Sequence, residues 1–266
     1  ISIVPWAIGE STAGALAATQ MGNSLVTYVS GSGFRPLLNT EYNTFGTQVL
    51  ATDNIRESLT GALAVASGPA KTVNALVLHN ASAAAATHAV TGAGVGESLA
   101  ITSGAMLFTL DPAAAAGDYG ITLGGFDAGI SVGATNEYVI HVVNPSSAAT
   151  TSTLTATISS PLTSNADITK SGRGTLVFTG VNTAGGGANK TTINEGVLEI
   201  ADLDNIGGNT GALVFAGGTL RLGTTLTDDI SQRTITLLDG GGTIDTNGID
   251  LALANSVGSG LGGLTK

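Results

Sequence analysis

The side chains that could catalyse a reaction are few in this sequence and lie far apart. Asp228 and Asp229 are the only adjacent carboxylates, and a pair of carboxylates is what glycoside hydrolysis requires. A hydrolase would also need basic or histidine side chains near that pair, but His79, His88 and His141 all lie far upstream. No Gly-x-Ser-x-Gly elbow or phosphate-binding loop is present. We therefore predict no catalytic residues.

Two acidic stretches could supply oxygen ligands for calcium. One is Asp202-Leu203-Asp204-Asn205, and the other combines Asp239, Asp245 and Asp250. Neither has the ligand spacing of an EF-hand, and the calcium nonapeptide Gly-Gly-x-Gly-x-Asp is absent. The sequence has no cysteine, which removes thiolate metal sites and disulfides. We predict solvated turns at both places, and no metal or cofactor-binding residues.

Composition limits the partners. The formal net charge is -10, with only 9 Lys and Arg residues, so the chain has little with which to neutralise a phosphate backbone. No apolar run is long enough for a membrane-spanning helix. We expect neither a nucleic-acid partner nor a membrane span in this segment.

The elements that must position these side chains are revealed by an internal repeat. Four segments that begin with glycine and end with a large apolar residue recur every 22 residues: Gly174–Phe178, Gly196–Ile200, Gly218–Leu222 and Gly240–Ile244. A second apolar column, around Ile193, Phe215 and Leu237, has the same spacing. Each period therefore contains at least two short strands.

Alternation within the strands predicts which side chains face inward. We expect two interior stacks, one of Leu176, Leu198 and Leu220 and one of Phe178, Ile200, Leu222 and Ile244. The intervening Val177, Glu199 and Arg221 should face solvent. The same spacing continues weakly upstream through Leu110, Val132 and Leu154.

Parallel strands every 22 residues, with no room for a crossover helix, predict an all-β fold: a parallel β-helix, or β-solenoid, of roughly 12 coils. We interpret the glycine before each strand as a corner residue with positive φ. Residues 73–266 are predicted to form the solenoid, with the clearest repeats at 167–244. Residues 1–72 hold five of the aromatic residues and are predicted to be a β module continuous with the solenoid, containing a local hydrophobic cluster.

Residues 167–183, DITKSGRGTLVFTGVNT, and 191–200, TTINEGVLEI, resemble the autotransporter-associated β-strand repeat. Residues 184–190 depart from the aromatic-containing turn usual in that family. Shorter stretches, such as Pro5–Gly9 and Arg35–Leu37, are similar to a module interspersed in the large repetitive surface proteins that carry the repeat. The resemblance implies a right-handed parallel β-helix of a Gram-negative-type bacterium, exported to the cell surface or released.

We therefore expect a non-enzymatic extracellular structural module, a rigid segment of a surface fibre, filament or adhesin. The alternative is a carbohydrate-active or carbohydrate-binding β-helix. Neither end of the solenoid looks capped in the sequence, so we expect neighbouring modules or subunits to stack on its open ends. We also expect the native polypeptide to continue beyond Lys266.

Overall fold

The fold is built almost entirely of short β-strands. The computed structural model describes residues 2–10, 22–45, 49–68, 70–111, 114–134, 137–144 and 152–266. Across those ranges the helical elements are three short 3-10 helices, Asn39–Glu41, Leu203–Ile206 and Ile230–Gln232. None of the helices found there is long and apolar enough to cross a membrane.

Two long parallel sheets of nine strands each run the length of the molecule. The strands of sheet 1, in spatial order, are β4 (Asn54–Leu59), β7 (Ala75–Asn80), β10 (Ala105–Leu110), β13 (Tyr138–Val143), β15 (Ile168–Ser171), β17 (Lys190–Ile193), β19 (Ala212–Phe215), β21 (Thr234–Leu237) and β23 (Ser259–Gly260). The strands of sheet 2 are β5 (Leu63–Ala64), β8 (Thr87–Gly94), β11 (Asp118–Phe126), β14 (Thr153–Ile158), β16 (Thr175–Phe178), β18 (Val197–Ile200), β20 (Thr219–Leu222), β22 (Gly242–Asp245) and β24 (Leu264–Thr265).

The chain alternates between the two long sheets, so one strand of each forms a coil of a parallel β-helix. The first three coils add a third side, sheet 3, made of β6 (Lys71–Val73), β9 (Ser98–Ile101) and β12 (Gly129–Val132). Later coils replace that side with turns and the 3-10 helices at 203–206 and 230–232. The predicted solenoid is confirmed, but the described residues form nine coils rather than about twelve, because the strands before β4 form a separate sheet and the coils between β7 and β15 are longer than 22 residues.

The predicted interior of the C-terminal coils is confirmed with one exception. Leu176, Leu198 and Leu220 are register partners and are completely buried. Phe178, Ile200 and Leu222 form the second stack in the same way. Ile244, however, pairs with Leu220 instead of Leu222, because two additional residues lie between β21 and β22 and shift the register by one inward position.

The weak upstream column is wrong. Ala156, and not Leu154, is the partner of Leu176, while Val132 belongs to sheet 3 and Leu110 to sheet 1. Equivalent residues in this part of the chain are separated by more than 22 positions: Leu76 and Met106 by 30, and Met106 and Ile140 by 34. A 22-residue spacing therefore joins unrelated strands there.

The column glycines have a different role from the one predicted. Of the four, only Gly196 has a positive φ, at 68°. At Gly218 a β-carbon would instead collide with Ile193, and at Gly240 with the carbonyl oxygen of Ala216. Most of these positions need glycine because backbone and side chains of adjacent coils approach closely there.

An antiparallel sheet formed by β1 (Ile3–Gly9), β2 (Ser24–Val29) and β3 (Gly33–Pro36) covers part of sheet 1. Leu25 and Leu37 pack on the outward-facing Val77 and Leu107 of the solenoid. The aliphatic residues make this contact, whereas three of the aromatics expected to cluster are exposed: Trp6, Tyr28 and Phe34. The parallel sheets already begin at β4; the division of domains at residue 72 stays a prediction.

Candidate functional site

The paired carboxylates serve as hydrogen-bond acceptors for the backbone. Asp228 Oδ2 accepts from the amide of Leu203 at 3.0 Å. Asp229 caps the 3-10 helix at 230–232, accepting from the backbone and the hydroxyl of Ser231 at 2.9 and 2.6 Å. Hydrogen bonding by Ser231 lowers the pKa of Asp229. A general acid needs a raised pKa, so the environment of Asp229 does not favour that role, and the backbone hydrogen bonds that both carboxylates accept favour a structural one.

The three histidines do not converge on these carboxylates or on one another. His79 and His141 lie on β7 and β13 of sheet 1, where they face different positions of the intervening β10. His88 lies on β8 of sheet 2, with Nε2 2.6 Å from the hydroxyl of Ser82. His141 Nε2 lies 2.9 Å from the carbonyl oxygen of Pro5, and burial lowers the pKa of both His79 and His141.

The acidic stretch at 202–205 forms a corner of its coil. Asp202 caps the short helix by accepting from the amide of Asp204 at 2.7 Å. Asn205 is buried, and its side-chain oxygen accepts from the amides of Ala201 and Asp202 at 2.9 and 3.1 Å. Within the ranges that the structure describes, no group of three or more His, Asp or Glu residues is placed to hold a metal ion.

Asp239, Asp245 and Asp250, the other calcium candidates, are not used together in the described contacts. Asp239 and Asp250 are exposed. Asp245 binds Arg221, with 2.8 Å between Oδ2 and Nε. Arg221 also lies 3.7 Å from Glu199 on the preceding coil, so charges of alternating sign connect three successive strands of sheet 2. Hydrogen bonding to Arg221 lowers the pKa of Asp245.

Two cationic side chains, neither of them predicted as a site residue, lie inside the solenoid. Lys170 is completely buried, in register with Ile140 and Ile193. Its ammonium donates to the carbonyl oxygens of Ser171, Gly172 and Glu195 at 3.0, 2.5 and 2.9 Å. Burial lowers its pKa to about 7. Three carbonyls match the three donors of an ammonium, so Lys170 ties two consecutive coils together at a corner.

Arg233 performs a similar task three coils further on, directly before β21. Its guanidinium donates to the carbonyl oxygens of Ile206 and Gly208 at 3.1 and 2.7 Å, and to those of Gly185 and Ala212 at 2.6 and 3.2 Å. Burial lowers its pKa to about 10. One side chain thus bonds to the backbone of the two preceding coils.

A signal for Lys170 was present in the sequence. It occupies an apolar position of the second column, 23 residues before Ile193, so strict alternation would have placed it inside. Arg233 precedes its strand and lies outside the periodic positions, which explains why spacing alone does not identify it.

Part of the chain is similar to a known protein. Over 92 residues, 35% of this chain, the sequence is 39% identical to a protein named Adhesin BmaC autotransporter from Brucella suis biovar 1 (strain 1330). The match covers 2% of that protein's length, so the chain corresponds to a small part of it. No protein-family model matches the chain, and no solved structure matches it. The similarity relates part of this β-helix to an autotransporter adhesin.

Proposed function

We propose that this chain is a rigid, non-enzymatic, extracellular segment of a bacterial surface adhesin. The observation that carries the proposal is that two nine-stranded parallel sheets enclose one continuous apolar core. In such a solenoid each coil is bonded to the coils before and after it, so the stack resists bending. The similarity to a named adhesin supports the surface role.

Rigidity is reinforced at the coil corners as well as in the strands. Lys170 and Arg233 bond to backbone carbonyls of neighbouring coils, and Asn182 links its own coil to the next through the carbonyl oxygen of Asn205 at 2.5 Å. These contacts restrain the segments that lack strand hydrogen bonds. A stalk that carries load between the cell and a distal binding region would need this property.

The two ends of the solenoid differ, which bears on its partners. At the N-terminal end Asn43 bridges to Ile55, and Phe45 is buried against the core, so these residues cover part of the first coil; stacking of a neighbour at that end stays a prediction. At the other end Leu261 and Leu264 are 91% and 42% exposed. We propose that a neighbouring module or subunit adds its coils at this C-terminal end.

The surface assignment can be tested on the bacterium that produces the protein. Antibodies raised against this chain should label intact cells or the culture medium, and external protease should remove the label from cells. An antibody against a cytoplasmic protein should label only permeabilised cells. Labelling by the first antibody that also requires permeabilisation would contradict the extracellular role.

The end-on association can be tested by sedimentation of the chain over a wide range of concentrations. We expect concentration-dependent association that Leu261→Lys weakens. Val95→Lys is the matched control, because Val95 is 96% exposed on a turn far from that end. A non-associating monomer at every concentration, or equal effects of both substitutions, would contradict the proposal.

The carbohydrate-active alternative predicts depolymerisation of at least one polysaccharide in a panel. We expect none, because Asp228 and Asp229 accept backbone hydrogen bonds. An activity that disappears in the Asp228→Ala, Asp229→Ala double variant would overturn the non-enzymatic assignment.

A further inference from the structure

The only tryptophan of the chain, Trp6, projects from the covering sheet into solvent. It is 71% exposed. In the pairing of β1 with β2, Val4 lies opposite Val26 and Ile8 lies opposite Leu25. Three residues of β1 therefore have no counterpart on β2, and they form a bulge with Trp6 at its centre. Bulges of this kind re-aim side chains and are common beside functional sites.

The bulge is attached to the solenoid beneath it. His141 on β13 is 4% exposed, and its Nε2 lies 2.9 Å from the carbonyl oxygen of Pro5. Because a carbonyl oxygen can only accept, Nε2 carries the proton and donates. Burial lowers the pKa of His141 and favours the neutral ring. The residue before Trp6 is thus fixed to sheet 1, which holds the indole in a defined place.

Trp6 forms one wall of a cleft of about 410 Å³ between the bulge and the corners of the solenoid coils. The opposite wall carries two carboxylates and two amides, from Glu137, Asp167, Asn165 and Asn189. A concave site with one apolar surface and a few convergent polar groups is the usual form of a small-ligand site.

Some polar groups of this cleft are hydrogen-bonded or ion-paired within the protein. The remaining polar groups are available to a ligand. Asn189 Nδ2 donates to Asn165 Oδ1 at 2.5 Å and to the carbonyl oxygen of Gly186 at 3.1 Å. Asp167 is paired with Lys190, with 3.4 Å between Oδ2 and Nζ. Among the described residues, no hydrogen-bond or ion-pair partner contacts the amide nitrogen of Asn165, the amide oxygen of Asn189 or the carboxylate of Glu137.

We propose that this cleft binds a saccharide, with a sugar ring stacked on the indole of Trp6. A sugar presents a face of C–H groups that suits an aromatic surface, and its hydroxyls both donate and accept. The free groups opposite Trp6 supply one donor, on Asn165, and acceptors on Asn189 and Glu137. Recognition of a glycan goes beyond the structural role proposed above.

A quaternary ammonium ligand fits the same cleft less well. Such ligands are bound by cages of several aromatic rings, and Trp6 is the one aromatic side chain lining this cleft in the described structure. The charge of Asp167 is already balanced by Lys190, which leaves Glu137 as the single uncompensated carboxylate among the described lining residues. The mixture of donors and acceptors is therefore matched to hydroxyls rather than to a cation.

The position of Trp6 makes the test direct, because indole fluorescence of the whole chain reports on this cleft alone. The full chain is titrated with chitotetraose, cellotetraose, maltotetraose, mannotetraose and sialyllactose up to about 10 mM, with tetramethylammonium as the cationic probe. We expect at least one saccharide to change the emission with a dissociation constant of about 1 mM or tighter. Saturation-transfer NMR measures binding to variants that lack the indole.

The variants distinguish specific binding in the cleft from nonspecific binding to exposed aromatic rings. Trp6→Ala should weaken binding at least about tenfold, and Glu137→Gln and Asn165→Ala should weaken it to a smaller extent. Phe34→Ala is the matched control, because Phe34 is 70% exposed on the same covering sheet and should leave binding unchanged. Thermal melts of each variant check that the fold is retained.

Three outcomes would overturn the saccharide site. They are no response to any of the saccharides, binding that survives Trp6→Ala, and equal losses in Trp6→Ala and Phe34→Ala. A Trp6-dependent response to tetramethylammonium alone would also overturn it, in favour of a cation site. None of these results affects the surface-labelling and sedimentation tests, so failure here leaves the proposed stalk role standing.

Discussion

The early and late coils of this β-helix solve the same packing problem in different ways. In β7 and β10 the outward side chains of sheet 1 include Ala75, Val77, Ala105 and Leu107, on which the antiparallel sheet packs. In β17 and β21 the outward positions are polar, such as Thr192 and Thr236, and are partly exposed. The coils that begin at β7 and β10 are also longer and have a third strand.

This difference shows what allows a regular repeat. A coil whose outer face is polar, or carries only a partly exposed apolar side chain such as Val214 of β19, needs contact only with its two neighbours, so such coils can share one length. A coil whose outer face carries buried apolar side chains such as Leu107 needs an additional layer, and the chain that forms the layer departs from the repeat. The covering sheet also creates the cleft beside Trp6. The described late coils lack the added layer that such a cleft requires.

The largest expected effect would break the interior of the late coils. Leu176, Leu198 and Leu220 are fully buried and stacked in register. Leu198→Asp places a carboxylate between the other two leucines and should lower the free energy of unfolding by more than about 4 kcal/mol. Glu199→Gln, the neighbouring outward position, should change it by no more than about 0.5 kcal/mol. Urea denaturation measures both, and equal effects would refute the assigned register.

The corner contact of Arg233 comes next. Arg233→Met removes a guanidinium that bonds to four carbonyl oxygens and should lower the free energy of unfolding by about 3 kcal/mol, because buried acceptors lose their donor. Arg173→Met is the control, since Arg173 forms an exposed ion pair with Glu195 and should cost under about 0.5 kcal/mol. A stability unchanged by Arg233→Met would show that the cation is dispensable.

The contrast between the outer faces is tested by introducing threonine at one position beneath the covering sheet and at one position on the outer face of a late coil. Leu107→Thr puts a hydroxyl beneath the covering sheet, where Leu107 is 1% exposed, and should cost about 2 kcal/mol. Val214→Thr puts it on the partly exposed outer face of β19 and should cost no more than about 0.5 kcal/mol. If denaturation shows that the two variants lose equal free energy of unfolding, the covering sheet does not shield the early coils.

The smallest effect, counted per unit of pH, concerns Lys170, which lies where the early and late coils meet. Its folded-state pKa of about 7 lies below the ordinary 10.5, so the unfolded chain binds more protons between these values. The free energy of unfolding should therefore rise with pH above about 7, by at most about 1.4 kcal/mol per unit of pH. The cost of burying the charge is fully present below that range.

The measurement for Lys170 is the unfolding free energy between about pH 7 and 9.5, below the range in which the buried phenols of Tyr42 and Tyr138, whose pKa values are raised, begin to ionise. Lys170→Met should flatten the rise, whereas Lys190→Met, at an exposed lysine, should preserve it. A rise that persists in Lys170→Met would assign the pH dependence to another group.

How much of the structure could be predicted from the sequence depended on how far along the chain one repeat length is maintained. Leu176, Leu198 and Leu220 were placed correctly because spacing and alternation agree in the late coils. Ile244 was misplaced by an insertion of two residues, since a shift of two keeps a side chain inward and leaves the alternation unbroken. The absence of predicted site residues remains a prediction. The periodic position of Lys170 signalled its burial, but the partners of Lys170 and Arg233 are backbone carbonyls, which carry no residue-specific signal.

By itself the sequence determined the class of fold, the period of the late coils and the side chains that face the core, because these follow from local alternation and from contacts between adjacent coils. Only the tertiary structure decided how long the early coils are, which outer face is covered, and that a bulge at Trp6 stands over Glu137 and Asn165. Those features depend on contacts between residues more than 100 positions apart, such as His141 and Pro5. No periodic pattern connects such residues, so the packing of one layer on another had to be seen in the structure.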